Sequence, residues 1–343
     1  MIVRRRLTVL GALGGLLLGA CSGPGRREVA SGRSTTTATL AIASRDTPSP
    51  DGLVTAPFFS SSSEFNQRIP LAARIDAGSS EMVALLRTSD APPIVNLFEF
   101  GIPMFVASAT DPLRQIRCTM PWGVCAPSRR SPLRVPDAAV PNNGSDGSMV
   151  IIDAVNHRTI ELWQAQRQPN GDLSASWGSI NDLHGTGHTG AGGSGSAISR
   201  VAGVVRLDEF ASGTIPHALA VSSSYACRDR FRPPANQTDG ISDLPACLPE
   251  GTRLQLDPTI DLNSISGLTP GEQIIGRTLQ MYGAYVVDRG GAPLAFAFQR
   301  APDANSVDDP GTVYRAAGLS WDYFGLRKLP WDRLQVLARW DGR

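Results

Sequence analysis

The 343-residue chain lacks any excess of charge, with 32 basic residues against 31 acidic ones, and charged residues make up only 18% of it. All but one of the basic residues are arginine, and the exception is Lys328. Nucleic acids and anionic surfaces attract proteins with a strong positive field, which a net charge of +1 does not provide. We therefore expect no nucleic-acid partner.

The sequence also lacks an apolar run long enough to cross a bilayer as a helix. Its N-terminal apolar stretch, residues 7–18, follows three arginines and falls short of the roughly 20 residues that a transmembrane helix needs. A basic start, a short apolar run and small residues are typical of a secretory signal. The ending LGAC resembles a bacterial lipobox, so we predict export and lipid attachment at Cys21; the alternative is an ordinary signal with a chance cysteine.

No cysteine is left over once Cys21 is assigned to lipid. The other four form an even set in a compartment that permits disulfides. Of the three pairings we favour Cys118 with Cys125 and Cys227 with Cys247, because each pair closes a short loop that buries little by itself. Neither pair has the C-x-x-C spacing typical of structural zinc, so we expect no metal.

A dinucleotide-binding signature is present only in outline. Residues 183–199, LHGTGHTGAGGSGSAIS, contain the G-x-G-x-x-G spacing from Gly185 to Gly190, and Asp208 follows at about the distance expected of a ribose-binding acid. The preceding SASWGSIND is not the buried apolar strand that such a turn requires, and an exported protein meets no NAD supply. We expect neither a nucleotide nor another cofactor.

No internal repeat is visible, which disfavours a β-propeller. Gly (35) and Pro (26) are numerous, as in a turn-rich β protein. Runs typical of strands lie at residues 148–153, 158–166, 202–207, 214–222 and 252–256, and residues 284–298 indicate a hairpin that turns near residues 289–291.

Two helices are predicted, at residues 80–87 and 270–282. Thr269 and Glu272 form a capping box around Pro270 in the second. The predicted fold is mainly β, a jelly-roll-like β-sandwich with one or two peripheral helices. Residues 1–21 would be the signal, residues 22–52 a flexible tether, and residues 53–343 a single domain.

A combination of segments, DGSMVIID, RTIELWQA, AGVVRLDEFASGTIPHAL, GTRLQLDP and LQMYGAYVVDRGG, resembles a family of secreted proteins common in actinobacteria and some other bacteria. The similarity begins near Phe65 and covers most of the chain. The resemblance implies that the domain is intact and exported, and it assigns no enzymatic reaction. Its matching positions here are Asp146, Asp153, Glu161, Trp163, Glu209, His217, Asp257, Tyr282 and Asp288.

The first functional hypothesis is a glycan-active enzyme. A polysaccharide lyase would use His217 with Tyr282 or Tyr285 as base and acid, although a histidine among aliphatic residues also fits a hydrogen-bonded core position. Such a lyase needs cations to hold a uronate, for which Arg158, Arg200 and Arg206 are candidates. A glycoside hydrolase would draw two carboxylates from the set Asp153, Glu161 and Glu209.

The second hypothesis is a lipoprotein that binds an envelope glycan or a protein partner without catalysis, and the third is a structural surface protein. Trp163 and Trp177 would form the platform of a binder, with His184 and His188 on a glycine-rich lip over the groove; a metal site at these histidines is disfavoured. The alternatives are that Trp163 is core, Glu161 solvated or paired with arginine, and Asp153 a turn cap. Convergence of His217, Glu161 and either Asp153 or Glu209 in one pocket would favour an enzyme.

Overall fold

Strands dominate the chain, with 27% of residues in strands and 16% in helices. The mainly-β prediction is confirmed. The computed structural model describes residues 57–188 and 192–339, so the predicted signal, the whole predicted tether and Cys21 lie outside the described residues. The α-helices are α1 (Ser79–Leu86), α2 (Ala126–Arg130), α3 (Leu207–Ser212), α4 (Pro270–Met281) and α5 (Thr312–Ala316).

The strands are mostly three to six residues long. In chain order they are β1 (Ile94–Asn96), β2 (Met104–Ala107), β3 (Leu113–Arg114), β4 (Ile116–Cys118), β5 (Leu133–Arg134), β6 (Met149–Asp153), β7 (Arg158–Trp163), β8 (Gln166–Arg167), β9 (Leu173–Ala175), β10 (Trp177–Asp182), β11 (Leu219–Ser223), β12 (Ala226–Phe231), β13 (Leu248–Glu250), β14 (Arg253–Leu256), β15 (Ala284–Arg289), β16 (Ala295–Ala297) and β17 (Leu334–Val336).

The largest sheet has six strands in the order β1-β16-β11-β15-β14-β17. It is mixed, because β11 runs parallel to β15 and antiparallel to β16. Helix α4 packs beside β14 and begins as the sequence predicts, with the Thr269 hydroxyl accepting from the Glu272 N–H at 3.1 Å. Ile275 and Leu279 of α4 are fully buried in the main core cluster.

A four-stranded sheet, β10-β7-β6-β2, carries most of the candidate site. Every residue of β6 is buried, because the sheet has a core on each face. Val150 and Ile152 belong to one hydrophobic cluster, while Met149 and Ile151 belong to another. This alternation explains why the strand reads as a continuous apolar run rather than a half-polar one. Smaller sheets are formed by β4-β9-β8, β3-β5 and β12-β13.

The structure corrects two local predictions. Residues 284–298 are not a hairpin, since β11 lies between β15 and β16 in the sheet. Residues 202–207 form turns and the start of α3 rather than a strand, because Arg206 and Glu209 cap that helix. Helices α2, α3 and α5 were not predicted, since five or six residues are too few for a helical period to show.

Both predicted disulfides are confirmed: Cys118 is bonded to Cys125, and Cys227 to Cys247. They are compatible with an extracytoplasmic protein. Among residues 57–188 and 192–339, no helix has the length and apolar character needed to cross a membrane.

Candidate functional site

Three tryptophans form one wall of an open groove. Trp163 on β7 stands directly opposite Trp177 on β10 in their antiparallel pair. Trp122 belongs to the loop closed by the Cys118–Cys125 disulfide, and its ring centroid lies 5.7 Å from that of Trp163 and 6.2 Å from that of Trp177. Because Trp122 is 55% exposed, the wall, which we call the tryptophan wall, remains open to solvent.

The groove beside the tryptophan wall has a volume of about 810 Å³, which is within the range of small-molecule sites. Residues 192–195 also line it. Its charged lining residues are Asp146, Asp239, Asp288, Arg200 and Arg289. An aromatic wall facing several carboxylates is therefore the principal chemical feature of this cavity.

Gly195 brings two of these carboxylates together. Its backbone N–H donates to Asp288 Oδ1 at 3.1 Å, and a Cβ placed on Gly195 would lie 2.3 Å from Asp239 Oδ1. The Arg289 N–H donates to the same Asp239 oxygen at 3.0 Å. Only glycine leaves room for the Asp239 carboxylate this close to the backbone of residue 195.

Asp288 is the most perturbed carboxyl group of the groove lining. Burial raises the pKa of Asp288 to about 6 against the opposing charge of Arg200, and the carboxylates of Asp239 and Asp146 act in the same direction as burial. Arg200 donates to Asp288 Oδ2 at 2.8 Å and to the Gly193 carbonyl at 2.7 Å. Arg200, the less exposed of the two arginines in the groove lining, is thus already engaged by the protein.

Glu250, at the end of β13, lies behind Asp239 and is fully buried. Burial, the hydrogen bond to the Asp239 carboxyl and the charge of that carboxyl raise the pKa of Glu250 to about 10. Two carboxyl groups share a hydrogen bond only when one of them is protonated. Because this pKa value lies well above neutrality, Glu250 keeps its proton in the folded chain at neutral pH.

Glu161 supports the groove from below instead of facing into it. The residue is 1% exposed and is not part of the groove lining. Its carboxylate accepts five hydrogen bonds, from the hydroxyls of Thr159, Ser179 and Ser199 and from the backbone N–H groups of Gly193 and Arg200. Glu161 thus ties β7 to the glycine-rich segment that forms part of the groove.

His217 and Glu209 meet each other outside the groove. His217 Nε2 lies 3.0 Å from Glu209 Oε2, and His217 Nδ1 lies 2.9 Å from the Ala218 carbonyl. Arg206 also pairs with Glu209 at 2.8 Å. The cavity beside His217 measures about 10 Å³, roughly the room for one water molecule. This arrangement matches the hydrogen-bonded core alternative for His217.

Two further candidates have structural partners away from the groove. Asp153 is fully buried and accepts from Arg158 Nε at 2.9 Å, at the turn between β6 and β7. Tyr282 ends α4, and the Arg68 guanidinium lies 5.5 Å from the centroid of its ring. Tyr285, the alternative acid, is buried in the core.

The two histidines of the glycine-rich loop do not line the groove. His184 lies against His157, with ring centroids 4.9 Å apart. His188 Nε2 is 2.6 Å from Glu64 Oε2, and this hydrogen bond raises the pKa of His188 although burial opposes it. Within the described part of the chain, no group of three or more His, Cys, Asp or Glu side chains is arranged to hold a metal ion.

The predicted catalytic residues therefore do not converge in one pocket, although the predicted platform of Trp163 and Trp177 lies in the groove. Sequence reasoning missed Trp122, Asp239 and Glu250 as site residues. The loop CTMPWGVC held a usable signal, since an exposed indole inside a disulfide loop has no core to join. Asp146 and Asp288 were noted only as positions of the family resemblance. Comparison of the chain with protein-family models, with curated proteins and with solved structures found no match.

Proposed function

We propose that this protein binds a glycan in the groove, with sugar rings stacked on the tryptophan wall. The observation that carries the proposal is the placement of three neighbouring indoles beside Asp146, Asp239 and Asp288 in one open cavity. Indole faces cover the apolar faces of pyranose rings. Carboxylates accept hydrogen bonds from the sugar hydroxyls. One cavity thus meets both requirements of carbohydrate recognition.

A tryptophan comparison tests the proposal. Calorimetric titration of the full-length protein with neutral, aminated and uronate oligosaccharides should detect binding of at least one class. Trp122→Ala should weaken that binding at least about tenfold, since stacked aromatic residues dominate such contacts. Trp321→Ala is the matched control, because Trp321 is 43% exposed and lies outside the groove lining. An equal loss of affinity in the Trp122 and Trp321 variants, or no binding to any class of oligosaccharide, would contradict the proposal.

Glycoside hydrolysis is a second candidate function of the same groove. It is favoured by the approach of Asp239 and Asp288 to Gly195 and by the raised pKa of Asp288, since a hydrolase needs one protonated and one ionised carboxyl group. The carboxylates would then be Asp239 and Asp288 rather than Asp153, Glu161 or Glu209. His217 and Tyr282 lie outside the groove lining, so nothing in its geometry favours lyase chemistry by that pair.

New reducing ends distinguish the hydrolase from the binder. If the groove is hydrolytic, the unmodified protein releases reducing ends from a bound oligosaccharide and Asp288→Asn binds the same oligosaccharide without releasing them. Unsaturated products, followed by their absorbance, would instead indicate a lyase. Binding without either product leaves the protein as a binder.

We also propose that the protein is exported and anchored by lipid on Cys21. The proposal is supported by the three-part signal pattern of the sequence and by two disulfides that suit an oxidising compartment. Mass spectrometry of the mature N-terminus should find an acylated cysteine, and Cys21→Ser should release the protein from the membrane fraction. An unmodified Cys21 in a cytosolic protein with four free thiols would contradict it.

A further inference from the structure

The groove holds more negative than positive charge. Four carboxyl groups lie in its lining or directly beneath it, against two guanidinium groups, so acidic side chains outnumber cationic ones by two. The carboxylates are those of Asp146, Glu161, Asp239 and Asp288, and the guanidinium groups are those of Arg200 and Arg289.

Glu161 accepts no hydrogen bond from a cationic side chain, although the charge of the nearby Arg200 guanidinium attracts it. All five of its hydrogen bonds come from hydroxyl or backbone N–H groups, which stabilise a carboxylate but carry no net charge. Arg200 is committed to Asp288 and to the Gly193 carbonyl at 2.8 and 2.7 Å. Asp146 and Asp239 therefore face the groove with only Arg289 as a further cation in its lining.

We infer that the groove selects a glycan whose sugars carry protonated amino groups, such as a glucosamine polymer. The inference rests on the proposed glycan-binding function and specifies its ligand class. Ammonium groups beside Asp146 and Asp239 would offset the excess charge, while the sugar rings stack on the tryptophan wall. A uronate would instead bring further carboxylates to a site in which Arg200 is already paired with Asp288.

The pKa values of two acidic side chains support a negative electrostatic potential in the groove. The pKa values of Asp288 and Glu250 are both raised, by burial first and by neighbouring carboxylates in addition. The contribution of the neighbouring carboxylates, as distinct from that of burial, would also favour a cation that enters the groove. Because the groove is open to solvent, the effect should weaken as salt is added.

Matched oligosaccharides of one chain length test the inference in the full-length protein. The probes are a β-1,4-glucosamine oligomer, its fully N-acetylated counterpart and an oligogalacturonate, titrated near pH 6.5. We expect the aminated oligomer to bind about tenfold more tightly than the acetylated one, the effect of two partly exposed ion pairs. The preference should shrink when salt is raised from about 0.02 M to about 0.5 M.

Charge-neutral variants locate the origin of the preference. Asp146→Asn and Asp239→Asn should each reduce several-fold the ratio of the affinity for the aminated oligomer to the affinity for the acetylated one. Asp308→Asn, which removes an exposed carboxylate outside the groove lining, should leave the preference unchanged.

The outcomes separate this inference from the function on which it rests. Equal affinity for the aminated and acetylated oligomers, tighter binding of the uronate, or a preference that survives both groove variants would overturn the inference and leave glycan binding intact. Failure to bind any oligosaccharide would overturn both.

Discussion

Replacing Glu250 by glutamine should stabilise the protein, and increasingly so as the pH rises. In the folded chain the pKa of Glu250 is raised from its ordinary value of 4.5 to about 10, first by burial and then by the carboxyl of Asp239. In the unfolded chain the same group loses its proton near its ordinary value. Unfolding therefore releases a proton between these two pH values, and stability falls as pH rises through that window.

The magnitude follows from the linkage of protonation to folding. Keeping the carboxyl protonated in the folded state costs about 1 kcal/mol at pH 5 and about 5 kcal/mol at pH 8. The amide of Glu250→Gln has nearly the same shape as the protonated acid, can donate a hydrogen bond as that acid can, and releases no proton on unfolding. The stability difference between the variant and the parent protein should thus grow by about 4 kcal/mol from pH 5 to pH 8.

Denaturant unfolding with both disulfides intact, repeated across this pH range, measures that difference. Glu81→Gln is the control, because Glu81 is exposed and hydrogen bonding to Ser80 lowers its pKa, so no comparable rise is expected. A difference between Glu250→Gln and the parent that stays constant with pH would refute the reasoning, since it would mean that Glu250 is ionised in the folded protein.

Three other substitutions follow from the site geometry. Gly195→Ala should displace the Asp239 carboxylate, which would lie 2.3 Å from the new Cβ, and calorimetry should show weaker glycan binding. Glu161→Ala leaves five donors unpaired and should cost about 3 kcal/mol or more in denaturant unfolding; a loss under about 1 kcal/mol would contradict its supporting role. Replacing Cys118 and Cys125 together by serine should lower the free energy of unfolding by about 2 kcal/mol. It should also reduce glycan affinity, because the loop that carries Trp122 is no longer closed. Unchanged affinity would show that the loop holds its place without the disulfide.

Local features of the sequence were sufficient to predict several structural elements. The strand at β6 and the helix α4 were predicted because an unbroken apolar run and a capping box act within a few residues. The disulfide pairs were predicted because each closes a short loop, 7 or 20 residues apart in sequence. The hairpin after α4 was predicted wrongly because the strand that separates its arms, β11, lies more than 60 residues earlier in the chain.

The sequence by itself thus determined the mainly-β character, the disulfides and the capped helix, since these depend on neighbours along the chain. Tertiary structure alone decided which polar residues share the groove. Asp239 and Asp288 lie 49 positions apart and meet at Gly195, while His217 and Glu161, which looked catalytic in sequence, are buried among partners that satisfy them. Burial and charge environment are properties of the folded chain, because they depend on contacts between distant segments that no local pattern records.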